Sequence, residues 1–529
     1  MNAMPATLTD VANEAQIVVR NPATQELIGA VPRFTAEQVT AAVTRAAAAQ
    51  SRWTATSMLT RLRIFKRFGE LLCQQKDAVA AVISREAGKP EAEALSTEIL
   101  VVLDTAKFLR DYTPGFLFPE PVPHSNPAMK LKRGTLLRQP YGVVGIISPW
   151  NYPFSVPSVQ TLSALVTGNA VVLKPSEFTP FSSLEMQRLL REAGLDPDLL
   201  QVITGEGATG AALLQADIHK VVFTGSVATG KRVAQAAAAR LLPVVLELGG
   251  KDPMLVLEDA DVDVASSAAV WGAFMNAGQT CLSVERCYVH QSIYEKFLAA
   301  CVEKTNKLRL GRGTDANVDV GPMIHERQLR TVQEHVQDAI SRGARLLTGG
   351  TVLAELGSNF FAPTILADVT HSMTVMREET FGPVLPVRSF KTEDEAVELA
   401  NDSEFGLAAS IFTQDKQRGE ALARRIDAGT VMVNDVLACF GISEAPHGGV
   451  KASGIGRTHG RFGLEEMVWP KYVDSDLMPR MKKLWWYGYD PAFARQMSGF
   501  VDFLFARNLI NRVQGGLKST QSYLRRKLL

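Results

Sequence analysis

The chain has little of what marks several classes of protein. Its 529 residues include five cysteines, Cys73, Cys281, Cys287, Cys301 and Cys439, odd in number and scattered. A chain this long builds a core without disulfides, so free thiols in a reducing compartment are expected. No apolar run reaches the roughly 18 residues of a spanning helix, and none is expected. Residues 1–20 lack the basic start and apolar core of a secretory signal. Net charge is nearly absent: 56 basic residues stand against 55 acidic ones. No global field recruits nucleic acid, which is not expected as a partner. The eight histidines form no H-E-x-x-H and no two cysteines are spaced C-x-x-C, so no metal site is expected. With 46% hydrophobic and 21% charged residues the composition is that of a globular chain rather than a disordered one. The expectation is a cytoplasmic protein of about three domains, at about 150 residues each.

What is present divides along the chain. Residues 35–110 read helical, with Thr35 and Gln38 spaced as a capping box and Leu62, Phe65, Phe68, Leu72, Val79 and Val82 at helical spacing. Pro114, Pro119, Pro121, Pro123 and Pro127 predict an extended connector. From Gly142 short apolar strands alternate with helices near 155–167, 182–194, 207–215 and 229–240, the pattern of parallel βαβ units. Ligands bind beyond the carboxyl ends of such strands. A second alternating region spans about 252–434.

Two glycine-rich turns compete for a dinucleotide. Residues 205–210 read G-E-G-A-T-G, a literal G-x-G-x-x-G, but its acidic residue is ill placed for a pyrophosphate. The turn Gly225 to Gly230 follows the strand KVVFT and combines free N–H groups, a hydroxyl and a helix dipole, all suited to phosphate. Cys281, in GQTCLS, has the small polar neighbours of an accessible thiol, though a lone cysteine is more often a core residue. Glu247 ends an apolar strand, where a carboxylate is seldom buried without a reason.

Six motifs occur in order: PWNYP at 149–153, KPSE at 174–177, FTGS at 223–226, ELGGK at 247–251, GQTC at 278–281 and ETFGP at 379–383. Together they resemble the aldehyde dehydrogenase superfamily, over roughly residues 15–475. The resemblance implies an α/β fold: a Rossmann-like parallel-sheet cofactor domain, an α/β catalytic domain and a small oligomerisation arm. It implies Cys281 as nucleophile, Asn151 with the Cys281 backbone N–H as oxyanion donors, and Glu247 as general base for thioester hydrolysis. The implied cofactor set is Ile147, Ser148, Pro149, Trp150, Lys174, Ser176, Glu177, Gly207, Gly225, Ser226, Val227, Gly230, Leu248, Glu379 and Phe381. Glu177 suits free ribose hydroxyls and would repel a 2′-phosphate, so NAD is expected over NADP. The rival readings are a thiol-dependent esterase or acyl transferase using Cys281, and a non-catalytic scaffold on the same fold.

The resemblance divides the chain into a cofactor domain (1–121 and 141–250, rejoined near 435–455), a catalytic domain (251–434) and an arm (122–140 and 456–475). The arm's strand is placed at Lys130–Gln139 with a match near Met467–Val473, and the expected assembly is a homodimer or homotetramer. His447 stands where the family commonly has an aromatic. Tyr152, Phe154, Val156 and Val159 offer an apolar wall after Asn151, without an arginine to pair a second carboxylate, so an apolar aldehyde is the expected substrate.

Residues 476–529 have a different character. From Pro491 onward seven basic residues face one acidic residue, Asp502, and Trp485, Trp486, Tyr487 and Tyr489 cluster just before. Phe493, Met497, Phe500, Val501 and Leu504 share one helical face, so the tail reads as a basic amphipathic helix. It suits either a membrane surface or packing on protein.

Overall fold

The computed structural model describes residues 15–480, 483 and 485–528. It separates into two compact units, residues 15–119 with 137–471, and residues 120–136 with those described from 472 onward.

The first unit is built on two sheets. In the first, strands Val143–Ile147, Ala170–Lys174, Leu200–Val202, Lys220–Thr224 and Val244–Glu247 are parallel, with Gly454–Ile455 added antiparallel at one edge. Val143–Ile147 pairs with Ala170–Lys174 on one side and Lys220–Thr224 on the other, so the strand order reverses there. That reversal is where open parallel sheets bind ligands. These strands are apolar almost throughout because helices cover both faces. The crossover helices are Ser155–Val166, Pro180–Glu192, Gly207–Gln215 and Val227–Ala238. Ser155–Val166 is buried all round.

The second sheet has seven strands. Asp252–Val256, Val284–His290, Thr364–Ala367, Val384–Phe390, Ala408–Phe412 and Thr430–Val433 are parallel, and Arg345–Thr348 is antiparallel at an edge. Each sheet owns a separate hydrophobic core.

The helical reading of residues 35–110 holds in its main lines. Ala36–Ala55 begins with the expected capping box, Thr35 accepting from the Gln38 N–H and Gln38 returning the bond. Residues Ala94–Ile99 are wound as a π-helix between α-helical segments. The proline connector is corrected at its start. Pro114 lies inside the helix Leu100–Leu117, near its carboxyl end, where losing one N–H costs only one intrahelical bond.

A three-stranded sheet has Lys132–Pro140 central, flanked by Glu120–Val122 and Val468–Asp476, and its residues 120–122, 132–136 and 472–476 belong to the second unit. The tail is not one helix. Pro491–Phe505 and Leu509–Leu528 are two helices packed as a hairpin. The polar run Arg507-Asn508 that interrupts the apolar stripe is the turn between them, and Asn508 Oδ1 accepts from the Asn511 N–H.

Candidate active site

One cavity of about 900 Å³ lies beyond the carboxyl ends of the first sheet's strands and reaches the loop that carries Cys281. Ile147, Pro149, Trp150 and Asn151 follow the strand Val143–Ile147 into its wall, and Lys174, Ser176 and Glu177 follow Ala170–Lys174. Gly225 and Ser226 follow Lys220–Thr224, and Glu247, Leu248 and Gly249 end the next strand. Gly207, Cys281, Glu379 and Phe381 complete the expected set on the same walls. Ser148, Val227 and Gly230 are not on the wall. Gly230 is tied to packing, since a Cβ there would come within 2.4 Å of Leu248.

The two competing glycine turns share this cavity. Gly207 and Gly210 line it from one helix, while Glu206 pairs with Arg33 at 3.1 Å. The helix Val227–Ala238 starts from Ser226, whose hydroxyl accepts from the Thr229 N–H. The first N–H groups of this helix have no partner within it. Lys174 Nζ lies 3.5 Å from Glu177. Trp150 meets His325 and Phe381 edge-on, and Phe178 packs on His325. Arg232, Phe178, His325, Arg327 and Gln328 also line the cavity. They lie outside the motifs: Phe178 in the turn just after KPSE, Arg232 on Val227–Ala238, and His325, Arg327 and Gln328 at the start of Glu326–Ser341.

The loop carrying Cys281 is a fixed object. Asn276, Ala277 and Gly278 have φ of 53°, 55° and 70°. Two consecutive non-glycine residues in the left-handed region mark a strained site held by its surroundings. Glu93 accepts from the Asn276 N–H, and Asn276 Nδ2 donates to the Asn151 carbonyl at 3.0 Å. Gln279 accepts from the Ile324 N–H at 2.8 Å, and Tyr152 OH bonds Thr280. Gly278 admits no side chain, because a Cβ would lie 2.1 Å from the Gly382 carbonyl.

Asn151 Nδ2 donates one hydrogen to the Gln279 carbonyl at 3.0 Å. An amide nitrogen carries two, so a second donor remains. The helix after Asn151 is set by a buried ion pair. Lys89 and Glu98 meet at 2.7 Å with both side chains inaccessible, and Glu98 accepts from the Phe154 and Ser155 N–H groups. Glu98 stands on the π-helix. Opposite, Glu285 joins buried Lys251 to the Thr380 and Phe381 N–H groups, while Glu379 accepts from the Gly250 N–H.

Cys281 is half-buried, and Cys287, Cys301 and Cys439 are buried; Cys73 is exposed, and all five thiols are free. Burial, reinforced by the carboxylates of Asp252, Glu379 and Glu247, pushes the Cys281 thiol well above its ordinary value. Glu247 is buried, and among the described residues neither carboxyl oxygen has a hydrogen-bond partner. Burial raises its pKa well above the carboxylate range, with Arg457 opposing and Glu466 adding. His447 Nε2 stands 3.7 Å from Glu247 Oε2. Burial, with His459 and Arg457 nearby, pushes His447 down to about 3, so it is neutral.

Two α/β sheets whose loops line one cavity, with a half-buried thiol on its wall, have the architecture of a dehydrogenase. The chain belongs to the aldehyde dehydrogenase family, whose profile it matches over residues 9–473. It is 40% identical over 507 residues, 96% of this chain and 94% of the other, to a 4,4'-diapolycopene aldehyde oxidase of a Methylomonas species. It is 39% identical over 466 residues to peroxisomal aminoaldehyde dehydrogenase 2 of Pisum sativum, covering 87% and 92% of the two chains. Among solved structures, the NAD-dependent aldehyde dehydrogenase of Sinorhizobium meliloti superposes with a TM-score of 0.86 at 36% identity, covering 90% of this chain and 94% of that one. The aldehyde dehydrogenase of Bacillus cereus in complex with NAD+ gives 0.84 at 34% identity, covering 87% and 93%.

Proposed function

We propose that the protein oxidises an apolar aldehyde, medium- or long-chain aliphatic or aromatic, to its carboxylic acid with NAD. One observation carries the substrate class. The stretches 96–101, 152–156, 271–282 and 437–441 line the cavity with Val101, Tyr152, Val156, Trp271, Met275, Leu437, Phe440 and small neutral residues, none charged. Relatives are named for differing aldehydes, among them succinate semialdehyde in a putative NADP+-dependent enzyme of Mycolicibacterium smegmatis, 40% identical over 455 residues. A semialdehyde bearing a carboxylate would meet no cation on these walls, and desolvating an unpaired charge is costly. An aldehyde such as 4,4'-diapolycopene aldehyde needs none.

Asn151, Cys281 and Glu247 share the work. The Cys281 thiol loses its proton to solvent, and the sulfur bonds the carbonyl carbon as the C=O π pair moves onto oxygen. The oxyanion is held by the free hydrogen of the Asn151 amide and the Cys281 backbone N–H. Such a donor contributes ~3–4 kcal/mol to the transition state. A bound NAD would supply the hydride acceptor for that carbon, so that the C=O re-forms as a thioester on Cys281. Glu247 takes a proton from the water that cleaves it, and a carboxyl raised by burial is closer to the ideal basicity at neutral pH.

The walls fit a dinucleotide. The start of Val227–Ala238 suits the pyrophosphate, Lys174 and Glu177 the adenosine ribose, and Glu379 with Phe381 the nicotinamide side. Glu177 favours NAD, although Arg232 also reaches the cavity. For the assembly, Val468–Asp476 is an outer strand with Trp469, Tyr472 and Val473 exposed, which favours a homodimer or homotetramer joined at this edge. The test of the substrate class is a panel running from succinate semialdehyde through octanal and decanal to benzaldehyde, assayed for NADH and NADPH in parallel. Expected is the highest kcat/KM for an apolar aldehyde with NAD. A preference for succinate semialdehyde would overturn the substrate class.

A further inference from the structure

The hairpin of the second unit is built inside out. A pair of amphipathic helices in water buries its large apolar residues between the helices. Here the fully buried seam positions are small or polar, Gln496 and Gly499 on one helix and Gly515 and Ser522 on the other, with Ser519 beside them and the part-exposed Phe503 ring against Gly516. The backbones come close enough that a Cβ on Gly499 would lie 2.6 Å from the Gly515 carbonyl. Small residues at the seam are the packing of helices whose other faces meet lipid. The apolar stripe of Leu509–Leu528, made of Ile510, Val513 and Leu517 at helical spacing, lies on the side away from Gly515 and Ser519. With Leu509 and Phe505 at the turn, these five side chains are 53–75% exposed.

Charge is sorted in the same way. Arg507, Arg512 and Lys518 are exposed around the stripe. Arg512 Nε donates to the Phe503 carbonyl at 3.1 Å and Lys518 Nζ to Ser498 Oγ at 3.2 Å, so both stems are set beside the seam. Asp502, the one acidic residue after Pro491, is exposed on the other helix, with its Cβ beside Gly515. Leu509–Leu528 itself has no acidic residue, so its outward face joins exposed apolar side chains to positive charge.

We propose that the turn and the outward face of Leu509–Leu528 dock on an anionic lipid bilayer. Phe505, Leu509 and Ile510 enter the acyl boundary while Arg507, Arg512 and Lys518 remain at the phosphates. No described helix is long and apolar enough to cross a membrane, so the contact is with the surface.

The experiment is co-sedimentation of the full-length protein with phosphatidylcholine vesicles, with and without phosphatidylglycerol. It is run for the wild type, for Leu509→Glu with Ile510→Glu, and for Arg507→Glu. Mass by light scattering and aldehyde-dependent turnover are followed alongside. The wild type should bind the anionic vesicles, and less as salt rises. The apolar pair should abolish binding, and Arg507→Glu should weaken it at least about fivefold, with mass and turnover unchanged. Three results would overturn the proposal: no binding to anionic vesicles at low salt; equal binding by wild type and the apolar-pair variant; or a changed oligomeric mass in that variant, which would give the face to a second copy of the chain.

Discussion

In the proposed reaction Cys281 and Glu247 both act deprotonated, and the fold raises the pKa of both. The sign follows: activity is lost as pH falls, and the limb lies on the alkaline side of where a free carboxylate would put it. kcat against pH should therefore still be rising above neutrality. His447 sharpens this. It is neutral, so it adds no charge, but it puts a polar ring 3.7 Å from Glu247 Oε2. His447→Phe removes that polarity, disfavours the ionised carboxyl further and should move the limb to higher pH, leaving the KM for NAD unchanged. A limb that stays in place would show that the imidazole does not act on Glu247. Cys281→Ala should abolish aldehyde turnover while NAD still binds, as read by fluorescence titration. Cys73, Cys287, Cys301 and Cys439 should each tolerate alanine. Glu247→Gln should lower the steady-state rate by about 10²–10⁴-fold and accumulate acyl-enzyme visible by intact mass. Steady-state rates within a few-fold of wild type would remove Glu247 from the role.

At the scale of elements, the π-helix Ala94–Ile99 has a specific task. Glu98, buried on this turn, closes the pair with Lys89 and accepts from the first N–H groups of the helix that follows Asn151. π-bulges recur at functional sites for such reasons. Glu98→Gln keeps an acceptor for the Ser155 N–H but strands the Lys89 ammonium in the core. Breaking a buried pair from one side costs about 3–5 kcal/mol. Urea unfolding should show that loss in the first unit's transition, with a fall in kcat because Asn151 is no longer held. A stability change below about 1 kcal/mol would mean the pair has no such role, since surface pairs fall in that range.

For the whole molecule, the strand Val468–Asp476 at the outside of its sheet sets the expectation. A long outer strand with Trp469, Tyr472 and Val473 exposed invites pairing with another chain. Light scattering at micromolar concentration should return the mass of a dimer or of a dimer of dimers. Tyr472→Asp should shift that mass towards the monomer. A wild-type monomer would exclude the edge as an interface.

The sequence alone determined what depends on local pattern. Alternating apolar runs and helical segments after Gly142 define parallel βαβ units, because strands covered on both faces must be apolar throughout. Thr35 and Gln38 define a helix start, because the cap is a four-residue interaction. The motif order identified the family and brought Cys281, Asn151 and Glu247 into view. Tertiary structure decided whatever depends on residues far apart in the chain. His447 reaches Glu247 only because the segment after Ala445 returns beside the end of Val244–Glu247. His325 and Phe178 reach the cavity from separate elements, and Glu98 meets Lys89 from a π-helical turn that no spacing rule signals. Pro114 was tolerated because it falls in the last turns of a helix, where few bonds remain to be lost. The tail shows the difference most clearly. Its apolar periodicity was legible, but which side of each helix faces its partner was set by Gly499 and Gly515, since only there can two backbones approach so closely.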